Sequence, residues 1–111
     1  MSLSVYLEDP TATYETEYLY SSNITHNLWK MASEAGIYEA LWRPEEIKAK
    51  YAKDIIPLLE KGLADLKARP EHFEQFNSPN GWGMYKNFVP FVAKYLKACK
   101  EYPEAIIKAL R

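Results

Sequence analysis

The spacing of apolar residues changes along the chain, from every second position near the N-terminus to a helical period further on, so strands and helices must share one fold. Leu3, Val5 and Leu7 alternate with Ser4, Tyr6 and Glu8, which turns one row toward a core and the other toward water. Asp9-Pro10 opens a polar stretch to Thr16 that reads as a turn, and residues 17–21 read as a second strand, with Tyr18 and Tyr20 on one face and Leu19 on the other. The two predict a hairpin with a long loop. From Leu28 the apolar positions fall at 28, 31, 32 and 35, a helix for which Thr25 is a fitting N-cap and Gly36 a fitting left-handed terminus.

The clearest helical face belongs to Ile47, Tyr51, Ile55, Leu58, Leu59, Leu63 and Leu66, with Pro44 placed to open the element. Pro57 lies inside it. A proline in a helix interior removes a backbone hydrogen bond and costs ~3 kcal/mol, which predicts a kink or break near Lys53 and Asp54, with Asp54 able to cap a restarted helix. Arg69-Pro70 ends the run, a single turn carries Phe73 and Phe76 inward, and residues 77–83 form a turn-rich loop. Phe88, Phe91, Val92, Tyr95, Leu96 and Cys99 then mark a last long helix, with Pro90 near its start and Pro103 past its end. Ile106 and Ile107 favour a strand, whereas Ala109 and Leu110 suit a helix equally.

These elements predict an α+β fold: a two- or three-stranded antiparallel sheet packed on two long helices and one or two short ones, with Tyr51, Leu58, Leu63, Phe88, Val92 and Leu96 sharing a dry interior. With 111 residues, 48% apolar and 26% charged, the chain suits one domain spanning residues 1–111. The 14 basic and 15 acidic residues are interspersed, so no field gathers nucleic-acid phosphates. No stretch approaches the ~20 apolar residues of a membrane span, and a lone cysteine, Cys99, placed in an amphipathic helix reads as a buried thiol. Cytoplasmic localisation is the expectation.

Two strings stand out as candidate binding sites. Asn23-Ile24-Thr25-His26-Asn27 sets an imidazole among polar side chains at a helix start, where an anion or polar ligand could sit; alternatively Thr25 caps the helix and Asn23, His26 and Asn27 serve neighbouring backbone. In Asn80-Gly81-Trp82-Gly83 the glycines permit positive φ while Trp82 offers an anchor for a partner; alternatively Trp82 folds back to plug the core. A metal at His72 with Glu71 and Glu74 would lack a dependable further ligand. No residue is assigned a catalytic or metal-binding role, and no cofactor is expected.

The strings Asn23 to Leu28, Met31-Ala32, Ala35 to Tyr38, Leu59 to Gly62, Asn80 to Tyr85 and Ala98-Cys99 to Pro103 together resemble a family of small uncharacterised proteins encoded by bacteriophages and bacterial genomes. The resemblance implies no activity. Members similar to this chain often end in an alternating β-branched segment, which tilts residues 106–110 toward a strand, although Ala109 and Leu110 depart from that pattern. The functional expectation is a non-enzymatic accessory or interaction protein of phage or prophage origin, binding a protein partner through Asn23, Thr25, His26, Asn27, Asn80 and Trp82. A ligand-binding protein or minor enzyme built on Asn23, His26 and Asn27 is the alternative, and self-association a third.

Overall fold

Alternation carries β1 (Ser2–Glu8) through the middle of the sheet: Leu3, Val5 and Leu7 are fully buried while the intervening residues stay partly accessible. The computed structural model describes residues 2–11 and 18–111. On one side β1 pairs antiparallel with β2 (Tyr18–Thr25), and on the other with β3 (Ile106–Leu110), giving the order β2-β1-β3. The turn expected after Asp9 lies, from residue 12 on, outside the described residues, as does Glu17. Within them Asp9 Oδ1 accepts from the backbone N–H and the hydroxyl of Thr11 at 2.8 and 2.7 Å, a local Asx turn.

The second strand is longer than its sequence suggests. It was expected to stop at Ser21, yet Ser22, Asn23, Ile24 and Thr25 continue in register opposite Val5, Ser4, Leu3 and Ser2. Ile24 is buried and Ser22 and Asn23 are tolerated because strand pairing with β1 overrides their weak intrinsic preference. The chain then turns directly from strand into a 3-10 turn, His26–Leu28, which leads into α1 (Trp29–Glu34). Gly36, at φ +77°, ends that helix as expected, and α2 (Tyr38–Trp42) follows.

The main correction concerns the start of the central helix. Pro44 opens only a 3-10 turn, Pro44–Ile47, which Lys48 terminates in the left-handed region at φ 57°. The helix α3 begins afresh at Ala52 and runs unbroken to Ala68. The expected interruption therefore falls before Tyr51, and Pro57 sits in continuous helix. Asp54 does cap, as the third residue of α3, accepting the N–H groups of Tyr51 and Lys50 at 2.9 and 3.0 Å. The N–H groups of Ala52 and Lys53 donate to the carbonyls of Ala105 and Pro103, which fastens the helix start to the segment entering β3.

Because α3 starts late, the apolar face is only partly the predicted one. Ala52, Ile55, Leu59 and Leu66 are buried; Tyr51 and Leu63 are half-buried, and Leu58, at 38%, is exposed. After α4 (Pro70–Glu74), which buries Phe73 and leaves Phe76 half-buried, α5 (Tyr85–Glu101) lies against α3 and buries Phe88, Phe91, Val92, Tyr95, Leu96 and Cys99. Of the helices, α5 packs against β2 and α2 against β3; each fully buried Leu or Phe in the core contributes roughly 1.5–3 kcal/mol. Residues 106–110 are a strand: pairing with β1 decides what propensity left open. Among the described residues no helix is long and apolar enough to cross a membrane.

Candidate functional site

The two polar strings singled out in the sequence meet. Residues 23–27 arrive on the end of β2 and the following turn, while residues 80–83 arrive on the loop between α4 and α5, 55 positions away for the Asn27–Trp82 pair. Asn27 Nδ2 donates to the Trp82 carbonyl at 2.8 Å and ties the two together. Asn23, Thr25, His26, Asn27, Asn80 and Trp82 all line one open depression of about 950 Å³, together with Asn87 from the first turn of α5.

The loop is built to hold Trp82 outward. Pro79 and Asn80 form a turn closed by the Gly81 N–H donating to the Ser78 carbonyl at 3.1 Å. Asn80 Oδ1 accepts from Ser78 Oγ at 2.6 Å and from the Trp82 N–H at 2.9 Å, and Ser78 N–H donates to the Gly83 carbonyl. Gly81 at φ +81° and Gly83 at φ +106° flank the tryptophan with backbone that other residues rarely adopt. Gly83 also meets a steric need: a Cβ there would stand 2.8 Å from Asn27 Cβ. Below the loop, Asn77 Oδ1 accepts the Tyr85 N–H at 2.6 Å, satisfying a free donor at the start of α5, and the Tyr85 hydroxyl donates to the Leu66 carbonyl at 2.7 Å. With its backbone fixed on both sides, Trp82 stands 69% exposed and does not plug the core.

The other residues divide between scaffold and surface. Asn23 Nδ2 lies within hydrogen-bond distance of Ser2 Oγ, the Leu3 carbonyl and Ser4 Oγ, so its donors are engaged across the strand pair and its Oδ1 is the group left to the depression. Thr25 Oγ1 accepts the Asn27 N–H at 3.4 Å, the capping role expected of it. His26 stands edge-on to Trp42 with ring centres 6.2 Å apart, and its Nε2 is buried with no hydrogen-bond partner among the described residues. Among the described residues no lysine, arginine, aspartate or glutamate lines the depression, in a chain where such residues make up 26%. Four of the five asparagines do: 23, 27, 80 and 87. What this surface offers is uncharged amide groups around one large aromatic ring.

Sequence reasoning missed Asn87 and a second, smaller depression of about 400 Å³ lined by His26, Trp29, Tyr38, Trp42, Arg43 and Arg111. Tyr38 and Trp42 stack with ring centres 5.6 Å apart, Arg43 Nε donates to the Tyr38 hydroxyl, and Arg111 Nη1 donates to the Trp42 carbonyl and to Glu45. Nothing local announces it, since Arg111 reaches it only because β3 pairs with β1. The concentration of asparagines in two strings was the legible signal for the larger site. His72 turns away from both depressions: its Nε2 lies 2.9 Å from Glu34 Oε1. Among the described residues no three potential metal ligands gather. Cys99 is buried beneath the sheet, where loss of solvation pushes its thiol up to about 12.

Compared with protein-family models, with curated proteins and with solved structures, the chain finds no match in any of the three.

Proposed function

We propose that this chain is an accessory protein that binds a protein partner, with Trp82 as the anchor and the amides of Asn27, Asn80 and Asn87 as the polar surround. The observation that carries the reading is Trp82 itself: a large ring 69% exposed on a loop whose backbone is fixed on either side of it. A tryptophan held ready in this way loses little conformational freedom on binding, and such anchors carry a disproportionate share of interface energy. The uncharged lining favours a protein surface over a nucleic acid, whose phosphates need basic contacts. The strings at residues 23–28 and 80–85, in resembling small phage and bacterial proteins, support a phage or prophage origin, and one buried thiol suits the reducing cytoplasm.

Trp82→Ala supplies the test. Removing the ring from an interface should weaken capture by roughly 2–4 kcal/mol, about 30-fold or more, while the melting temperature stays nearly unchanged because the ring packs on little of the core. Pull-downs with wild-type and variant protein from phage-bearing host cells, followed by titration of the captured partner, read the effect. Equal capture by both proteins refutes the reading.

The buried, partnerless Nε2 of His26 favours a second reading, a small polar ligand taken between His26 and the surrounding amides. A thermal-shift screen repeated on His26→Ala decides it: a ligand that stabilises the wild type alone supports it, and identical profiles argue against it.

A further inference from the structure

The two edges of the sheet are treated differently by the fold. Beyond β3 the segment leading into α3 closes the edge: the Ile107 N–H donates to the Lys50 carbonyl at 2.9 Å, and Tyr51 forms a bridge with Ile106. Beyond β2 nothing among the described residues pairs with the backbone. Natural sheets protect open edges with charge, proline or covering structure. From Tyr18 to Thr25 the sequence holds no charged residue and no proline, and from Tyr20 to Thr25 the pairing with β1 is regular. Among the described residues the edge is thus regular in register, uncharged and unpaired.

A helix flanks it. At one end of β2, Asn87 of α5 shares the large depression with Ile24 and Thr25; at the other, Lys94, Lys97 and Ala98 line a depression of about 270 Å³ with Leu19 and Tyr20, and Tyr20 stacks on Tyr95 with ring centres 5.9 Å apart. The helix therefore runs antiparallel to the strand. An open strand edge beside a helix is the arrangement that receives an extended peptide by strand addition, where backbone hydrogen bonds supply affinity and alternate side chains supply specificity. Lys94 and Lys97 are exposed and form no ion pair among the described residues, and among the described residues that line the depression Glu101 is the one acidic side chain. Counted over those described residues, the balance is positive.

We propose that the β2 edge takes an extended segment of a protein partner as a fourth strand, with acidic side chains at the alternate positions that face Lys94 and Lys97. A second copy is the poorer occupant, because its own β2 has no carboxylate to offer the two lysines. The proposal rests on the reading of this chain as a protein-binding module but uses a surface that does not include Trp82.

A displayed library of random eight-residue peptides, matching the length of β2, is panned on the intact protein, and selected peptides are synthesised for titration. Acidic residues should recur at every second position. N-methylation of one alternate set of peptide amides should abolish binding while methylation of the other set leaves it intact, since only one set faces the strand. The double variant Lys94→Gln with Lys97→Gln should bind about tenfold more weakly and lose most of its salt dependence, with Trp82→Ala unaffected. Failure of the library to yield binders, absence of the acidic alternation, or indifference to the register of N-methylation would overturn the proposal. Binders lost in Trp82→Ala but kept in the lysine variant would place them in the larger depression, overturning strand addition while leaving the Trp82 reading intact. Dimerisation in sedimentation that the selected peptides compete away would make a second copy the occupant and also overturn it.

Discussion

Replacing Gly83 by alanine asks whether the Trp82 loop is clamped against the strand-to-helix corner or merely lies beside it. Backbone at φ +106° strains an alanine by on the order of 1–3 kcal/mol. The new Cβ would also stand 2.8 Å from Asn27 Cβ, so Asn27 must shift and its 2.8 Å bond to the Trp82 carbonyl is lost, worth about 1 kcal/mol more. The sum is about 2–4 kcal/mol. Gly81 is the internal control: its φ of +81° is similarly unfavourable, but an added Cβ meets nothing within 4 Å, so Gly81→Ala should cost only the strain of about 1–2 kcal/mol. With a urea m-value of about 1.5 kcal/mol per molar, the midpoint should fall by roughly 0.7–1.3 M for Gly81→Ala and 1.3–2.7 M for Gly83→Ala at unchanged slope. Asn27→Ala sharpens the comparison. It should cost about 1 kcal/mol in the wild type and nearly nothing in Gly83→Ala, because the bond it removes is already broken. Equal losses for the two glycine variants, with Asn27→Ala additive to both, would refute the clamp.

Other consequences are equally specific. Between pH 9 and 12 the unfolded chain releases the Cys99 proton while the folded one keeps it, so stability is whole below pH 9 and falls by up to about 1.4 kcal/mol per pH unit above it, with Tyr95, raised by burial, steepening the fall above 10; urea melts at pH 8 to 11 should show this, and Cys99→Ala should flatten the slope between 9 and 10. In α3, Gly62→Ala gains up to about 1 kcal/mol of helix propensity but drives a Cβ into Ile37 Cγ2 and against the Ala35 carbonyl, so a net loss of about 1–2 kcal/mol is expected in thermal melts. Asp54→Ala removes the acceptor of two backbone N–H groups and should cost about 1 kcal/mol by the same measurement.

What the sequence made legible follows from how local each signal is. Alternation at Leu3, Val5 and Leu7, and the helical spacing of Phe88, Val92 and Leu96, survive into the structure because each reports a face that its own element must bury. The face assigned to Ile47, Tyr51 and Leu58 did not survive. Those residues kept a helical period across Lys48, whose left-handed backbone breaks the helix without any glycine or proline to announce it. Ile106 to Leu110 could not be settled locally, since its strand exists through pairing with β1, a contact between the two ends of the chain. At the site, both polar strings were visible, but their meeting was not: it depends on α5 carrying the 80–83 loop back to the end of β2. Asn87 was lost for the same reason, lying on a helical turn between Lys86 and Phe88 and outside both polar strings.

The asymmetry of the sheet links these parts. Helices pack on the sheet, and the stretch from Lys50 to Ala52 closes the β3 side, so the described residues cover one edge and leave the other unpaired. That open edge ends at Thr25, where the capped turn begins and the Asn27 amide reaches the Trp82 loop. An anchor ring and a free strand edge therefore lie along the same side of the molecule, joined by α5, which supplies Asn87 to one and Lys94 and Lys97 to the other. A partner engaging both would make the second contact at the effective concentration set by the first, so losing Trp82 and losing the lysines should weaken it by more together than either does alone. Independence of the two losses, each affecting a different bound molecule, would instead mean that the chain holds two partners on one side.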